Sequence, residues 1–226
     1  MRRDDWYRNE HWSANIESAF RAKLARSRPP NRSQYLVLQA GYLAQRYPDV
    51  ALQLIAEFLA LPEMFEMPRA RCIQAEAFEA KGDLGRAVTA LKQALAWELD
   101  HPRYLTTASI DYPMLVARHR LVAEYQTALS ILLDRFKPSD FSFPAARYRW
   151  NGCQALIRSE LGQVADARHF AERALAAASE TQSPFRYHGS VGLVHDTADD
   201  FGRRIESLAQ PSGIAKFLRI LRNSER

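Results

Sequence analysis

The chain has 226 residues, 47% of them apolar, enough for one or two compact units or for one elongated stack with a continuous core, and too many to remain disordered. Its formal charge of +5 looks like an invitation to a polyanion, yet residues 1–32 hold eight Arg/Lys against four Asp/Glu, residues 213–226 hold four against one, and the body between them holds 19 against 21. A near-neutral body makes whole-chain charge a weak partner signal, and 26 arginines among 31 basic residues fit a coding bias as well as a need for bidentate phosphate contacts.

The start Met1-Arg2-Arg3-Asp4-Asp5-Trp6 has no apolar run behind its arginines, so it does not read as a secretory leader. A first helix is predicted to begin near Ser13, whose hydroxyl can cap the first turn. Trp12, Ile16, Phe20 and Leu24 follow at intervals of four and make one apolar stripe, with Arg21, Arg26 and Arg28 off it. Pro29-Pro30 is expected to end this helix.

Four stretches then share one template. They read Tyr35-x2-Leu38-Gln39-x2-Tyr42 then Ala51-x3-Ile55; Arg71-x2-Gln74-Ala75-x2-Phe78 then Ala87-x3-Leu91; Tyr112-x2-Leu115-Val116-x2-His119 then Ala128-x3-Leu132; and Asn151-x2-Gln154-Ala155-x2-Arg158 then Ala167-x3-Ala171. The second-half alanines are 36, 41 and 39 residues apart, a period that predicts stacked helical hairpins. Within each repeat the small residue of the first helix, such as Ala75 or Ala155, admits a neighbouring helix, and Ala51, Ala87, Ala128 or Ala167 sits at the crossing point. Gly82-Asp83 and Gly162-Gln163 supply tight turns, and Pro48-Asp49 does so in the first repeat. Pro62, Pro102, Pro138 and Pro184 punctuate the second helices. The linkers Glu63 to Pro68, His101 to Ile110 and Lys137 to Pro144 exceed the minimum a repeat needs. The run Val50 to Leu61 is too short and too interrupted to span a bilayer, so no membrane partner is expected and a cytoplasmic location follows as the default.

Beyond Pro184 the repetition stops. Phe185 to Val194, with two glycines and alternating apolar residues, reads as an extended segment, the simplest account being a strand pinned across the last helix pair. Thr197 with Asp200 reads as a variant capping box for a helix burying Phe201, Ile205 and Leu208. Pro211-Ser212-Gly213 should break it before a last helix carrying Ile214, Phe217, Leu218 and Leu221.

The repeat features resemble the tetratricopeptide repeat, with the second repeat (Ala75, Phe78, Gly82-Asp83, Ala87, Leu91, Ala94-Leu95) matching best and Val116, His119 and Arg158 departing from the pattern. The resemblance implies an all-α, right-handed α-solenoid of about four antiparallel helix pairs: an N-terminal capping helix in residues 1–32, repeats in 33–182, and a C-terminal capping segment in 183–226. It also implies a concave face lined by first-helix residues. These are Arg69, Cys72, Ile73, Glu76 and Glu79 in repeat two, Met114, Ala117, Arg120 and Leu121 in repeat three, and Arg149, Cys153 and Glu160 in repeat four. Such a mixture suits an extended peptide or a docked helix. Leu36, Val37, Ala40 and Leu43 are too apolar to leave wet, so the chain's own ends fill that part of the groove or a partner does. The lysines and asparagines with which some family members hold a terminal carboxylate are missing.

Chemistry finds little purchase. His195-Asp196 with His169 and Asp199 or Asp200 mimics the His…His-Asp…Asp set of helical metal-dependent phosphohydrolases, but that set needs a further downstream aspartate and none follows Asp200. There is no glycine-rich phosphate loop or Cys-x-x-Cys pair. Cys72 and Cys153 are separated by a whole repeat, beyond disulfide reach, and read as reduced, buried thiols. No cofactor or metal is expected. The expectation is a non-enzymatic adaptor that binds a protein or peptide, with Arg69, Glu76, Glu79, Arg120 and Arg149 on the groove and Arg186, Tyr187 and His188 in the one segment that repetition does not explain. Nucleic-acid binding through Arg21, Arg26 and Arg28 at one end and Lys216, Arg219 and Arg222 at the other, or pairing of two copies into a homodimer, are the alternatives.

Overall fold

A computed structural model describes residues 5–62, 65–136 and 142–210. The described chain is all-α, with ten helices: α1 Ala14–Arg26, α2 Pro29–Leu43, α3 Pro48–Leu59, α4 Met67–Ala80, α5 Leu84–Asp100, α6 Ala108–His119, α7 Tyr125–Arg135, α8 Pro144–Glu160, α9 Val164–Ala178 and α10 Asp200–Ala209. It forms two compact units, Met1–Tyr112 and Pro113–Arg226. The division falls inside α6 at Pro113, a residue with no amide to give the preceding turn.

In the first unit α2 packs on α3, α3 on α4 and α4 on α5. In the second α8 packs on α9 and α7, and α10 lies against α8 and α9. The alanine template explains the hairpins. Ala51, Ala87 and Ala128 are 0% exposed and Ala167 1%, and Ala75 and Ala155 are likewise buried. A larger side chain at such a crossing would force the helices apart, at a cost of about 1–3 kcal/mol.

The first unit's core joins Phe20 of α1 to Leu36, Val37, Ala40 and Leu43 of α2, Leu54, Ile55 and Phe58 of α3, and Ile73 of α4. The N-terminal segment is part of that packing. Gln39, fully buried on α2, accepts from the Asn9 backbone amide at 3.0 Å and from Asn9 Nδ2 at 2.8 Å, and donates to the Asn9 carbonyl at 2.8 Å. The rings of Trp6 and Tyr7 lie 4.8 and 4.6 Å from that of Tyr35. The four apolar α2 residues are therefore buried within their own unit, with the chain's own start among the groups that cover its core.

Two helix ends and one loop correct expectations. Ser13 caps α1 as expected, but α1 stops at Arg26, and Pro29-Pro30 opens α2 rather than closing α1. Prolines likewise occupy the first turns of α3, α4 and α8, where the missing amide would have been unpaired anyway. The cap of α10 is Asp199, which accepts from Gly202 N at 2.8 Å; Asp200 is already helical and Thr197 lies two residues too early. Phe185 to Val194 is a succession of turns, not an extended strand, because its two glycines and its hydrogen bonds fold it back on itself.

Three helices end in one motif. Asp83 N donates to Phe78 O at 2.9 Å, Gln163 N to Arg158 O at 2.9 Å and Leu121 N to Val116 O at 3.1 Å, each around a left-handed residue. Two of these are Gly82 and Gly162, at φ 75 and 76°, but the third is Arg120, at φ 51°. A side chain there costs about 1–2 kcal/mol, more than the exposed Arg120–Glu160 pair returns. Arg120→Gly should therefore raise unfolding stability by about 0.5 kcal/mol after the extra glycine entropy is subtracted, whereas Arg120→Val should lower it by about 2 kcal/mol. Urea denaturation of the two variants checks the opposite signs.

Candidate functional site

On α4, Arg69, Cys72, Glu76 and Glu79 share one stripe, at i, i+3, i+7 and i+10. Arg69 is exposed and lies 3.8 Å from Glu66, whose carboxyl is held above its ordinary range by burial, with Arg69 pulling it back. Glu76 accepts from Gln45 Nε2 at 3.0 Å. Burial raises its carboxyl too, the Gln45 bond opposes this, and the neighbouring Asp111 and Glu79 charges add to the rise. Cys72 lies 3.4 Å from Thr106 Oγ1 and burial pushes its thiol up to about 12, so it carries no thiolate chemistry at neutral pH. Ile73, expected in the open groove, is instead buried in the core against Gly41.

The same unit carries a buried carboxylate with a structural role. Glu98 of α5, 2% exposed, accepts from Thr106 N at 2.8 Å and from Thr106 Oγ1 at 2.5 Å, fixing the linker between α5 and α6. That linker and the turn before α4 display a patch: Phe65 and Tyr104 meet edge to face at 5.2 Å, Leu105, next to Tyr104 in sequence, stands exposed, and Trp97 stacks on His101 at 4.1 Å. The lengths of the linkers are legible in the sequence, but Phe65 and Tyr104 lie far apart along it and their pairing has no spacing signal.

In the second unit Met114 and Ala117 are buried, correcting their expected place on an open face, and Cys153, also expected there, is the free buried thiol that its sequence position suggested. Arg120 pairs with Glu160 at 3.4 Å. From α10, Arg204 reaches the same carboxylate at 3.5 Å and donates to the Ala117 carbonyl at 2.9 Å. Two guanidiniums thus converge on one carboxylate beside a small cavity of about 160 Å³ bounded by Leu156, Ser159, Glu160, Arg204, Ser207 and Leu208. Arg204 is spent holding α10 to the end of α6, an anchoring arrangement rather than an open anion site. Tyr148 packs edge to face on Phe201 at 5.8 Å; burial, with the nearby charges of Asp199, Glu206 and Asp196, pushes its phenol up to about 12. Arg149, three turns before Glu160 on the exposed side of α8, bonds no group among the described residues.

Arg186 and His188 belong to an organised loop. The Ser183 hydroxyl donates to the Val191 carbonyl at 2.7 Å and accepts from Phe185 N at 3.1 Å, which closes the loop's two ends on each other. His188 N donates to Phe185 O at 3.2 Å and Val191 N to His188 O at 3.0 Å. Helix α8 has no side-chain cap; instead its Ala145 amide donates to the Gly192 carbonyl at 2.9 Å, so an otherwise orphan helix N–H becomes the loop's anchor. Phe143 packs where a Gly192 side chain would be and meets Phe185 edge to face at 5.1 Å. On this base Tyr187 stands 83% exposed, with the Arg186 guanidinium 5.6 Å from its ring centre. Phe185 and Val191 are about half exposed. Sequence reading singled out Arg186, Tyr187 and His188 but missed Phe143, Phe185 and Val191, which no spacing connects.

The remaining expected groups are accounted for. Among the described residues no three His, Cys, Asp or Glu side chains are grouped to hold a metal. Asp196 and Asp199 accept from Ala198 N and Gly202 N, and His169 meets Phe170 edge to face. Arg21 pairs with Glu57 and Glu17, while Lys216, Arg219, Arg222 and the apolar set from Ile214 to Leu221 lie outside the described residues. No described helix is long and apolar enough to cross a membrane. No known family model matches the chain, and no curated protein or solved structure is significantly similar to it.

Proposed function

We propose that the chain is a non-enzymatic adaptor, a tetratricopeptide-like right-handed stack of helix hairpins that binds a segment of another protein. The observation that carries this reading is how the aromatic side chains divide. Those of the hairpins mostly serve packing, while three segments between helices hold Phe65, Tyr104, and Phe185 with Tyr187 out in solvent. Tyr and Arg exposed on a fixed frame are the residues that dominate protein interfaces. The interior titratable groups favour the same reading. Glu98 and Arg204 each hold one element against another, and the exposed Asp199 caps its own helix, which leaves them no part in turnover.

Immobilised full-length chain should recover a specific protein from lysate of its native host, identified by mass spectrometry. Arg149→Glu, on the exposed side of α8, should reduce that recovery at least fivefold while the circular dichroism spectrum stays unchanged. Recovery of nothing above bare resin sinks the reading.

A further inference from the structure

We propose that the loop Ser183–Leu193 is a docking element for an acidic protein segment carrying an apolar anchor residue, an assignment that rests on the adaptor reading above. Charge argues first. Residues 183–195 include Arg186, His188 and His195 and not one Asp or Glu. The Arg186 guanidinium has no carboxylate or carbonyl partner among the described residues; its one contact is the Tyr187 ring. The acids that flank the loop in sequence have partners elsewhere: Glu180 pairs with Arg147 at 2.6 Å, and Asp196 and Asp199 each accept a backbone amide. The loop thus presents an unneutralised cation, and a partner carboxylate is what completes it.

Apolar area argues second. Phe185 is 49% exposed, Tyr187 83% and Val191 44%, within seven consecutive residues whose backbone is pinned at both ends by Ser183 and by the Gly192–Ala145 bond. A pinned loop loses little freedom on binding, so the area it buries is not offset by ordering. One aliphatic or aromatic side chain of the partner suits this patch, with its acidic neighbours reaching Arg186. A nucleic-acid strand is the poorer fit. The loop offers a single permanent cation, and strand binding draws most of its strength from many phosphate contacts.

The test uses the full-length chain and a phage-displayed library of random dodecapeptides. Enriched peptides should carry an excess of Asp and Glu around one Leu, Phe or Tyr, and the best of them, fluorescein-labelled, should bind at least tenfold more weakly to Arg186→Glu and at least fivefold more weakly to Tyr187→Ala. Both residues are exposed, so folding is not at stake, and affinity should fall as salt rises from about 50 to 300 mM. Enriched peptides without acidic excess overturn the proposal, as does affinity unchanged by both variants. So does a dT12 oligonucleotide that binds the loop more tightly than any peptide. Peptides that ignore the loop variants but are lost in Arg149→Glu would leave the adaptor reading standing and remove only the loop from it; no enrichment at all removes both.

Discussion

Replacing Gly202 with alanine should destabilise the second unit by roughly 2 kcal/mol, although alanine is the better helix former by about 1 kcal/mol. The reason is space. A Cβ on Gly202 would stand 2.0 Å from the Thr197 carbonyl oxygen and 2.9 Å from its Cα, and these are backbone atoms that cannot swing aside as a side-chain tip can. Relief requires Thr197 to move, and Thr197 leads directly into Asp199, whose carboxylate caps α10 through Gly202 N. Overpacking of this kind costs about 1–3 kcal/mol and a lost cap about 1 kcal/mol, which together outweigh the propensity gain. Gly85 provides the control. It also lies in the first turn of a helix, but a Cβ there meets nothing within 4 Å, so Gly85→Ala should stabilise by about 0.5–1 kcal/mol. Denaturation curves for the two variants should move in opposite directions; two shifts of the same sign would mean that propensity, not the approach of Thr197, governs the start of α10.

The contrast also separates what the sequence carried from what it did not. The hairpins were legible because close helix packing demands a small residue at a fixed place, and Ala51, Ala87, Ala128 and Ala167 are all buried. Gly82 and Gly162 were legible because a left-handed residue is most cheaply glycine. Arg120 holds the same conformation without that signature, so its third-repeat turn could not be read. Some residues expected to line the groove were misplaced for a related reason. The resemblance places Ile73, Met114 and Ala117 on a concave face, but whether a neighbour covers that face depends on long-range packing, and all three are buried. The loop from Ser183 failed as a strand because alternation is only half of a strand's requirement. Its bonds run from Ser183 to Val191 and from Gly192 to Ala145, a closure that depends on residues over 40 positions apart and leaves no local pattern.

Gly192→Ala should open that loop while leaving the hairpins folded. Gly192 has φ 78°, where alanine pays about 1 kcal/mol, and an added Cβ would lie 2.0 Å from Phe143 Cδ1 and 2.6 Å from Cγ. Phe143 cannot simply rotate away, since it precedes α8 immediately and its ring packs on Phe185. The cheapest relief is for Gly192 to withdraw from α8, which breaks the bond from Ala145 N and frees Phe185, Arg186 and Tyr187 from their frame. About 2–3 kcal/mol of local stability should be lost, read as faster hydrogen exchange at Ala145 with little change at Ala171, deep in α9. Binding of an acidic peptide should weaken about tenfold, because the loop must then be ordered at the moment of contact. The companion variant Phe143→Ala sharpens the test. It removes the ring that an alanine at position 192 would strike, so the double variant should regain part of the lost exchange protection although each single change lowers it. Additive losses would mean that the backbone conformation at Gly192 alone holds the loop, and that the aromatic seat beneath it does not.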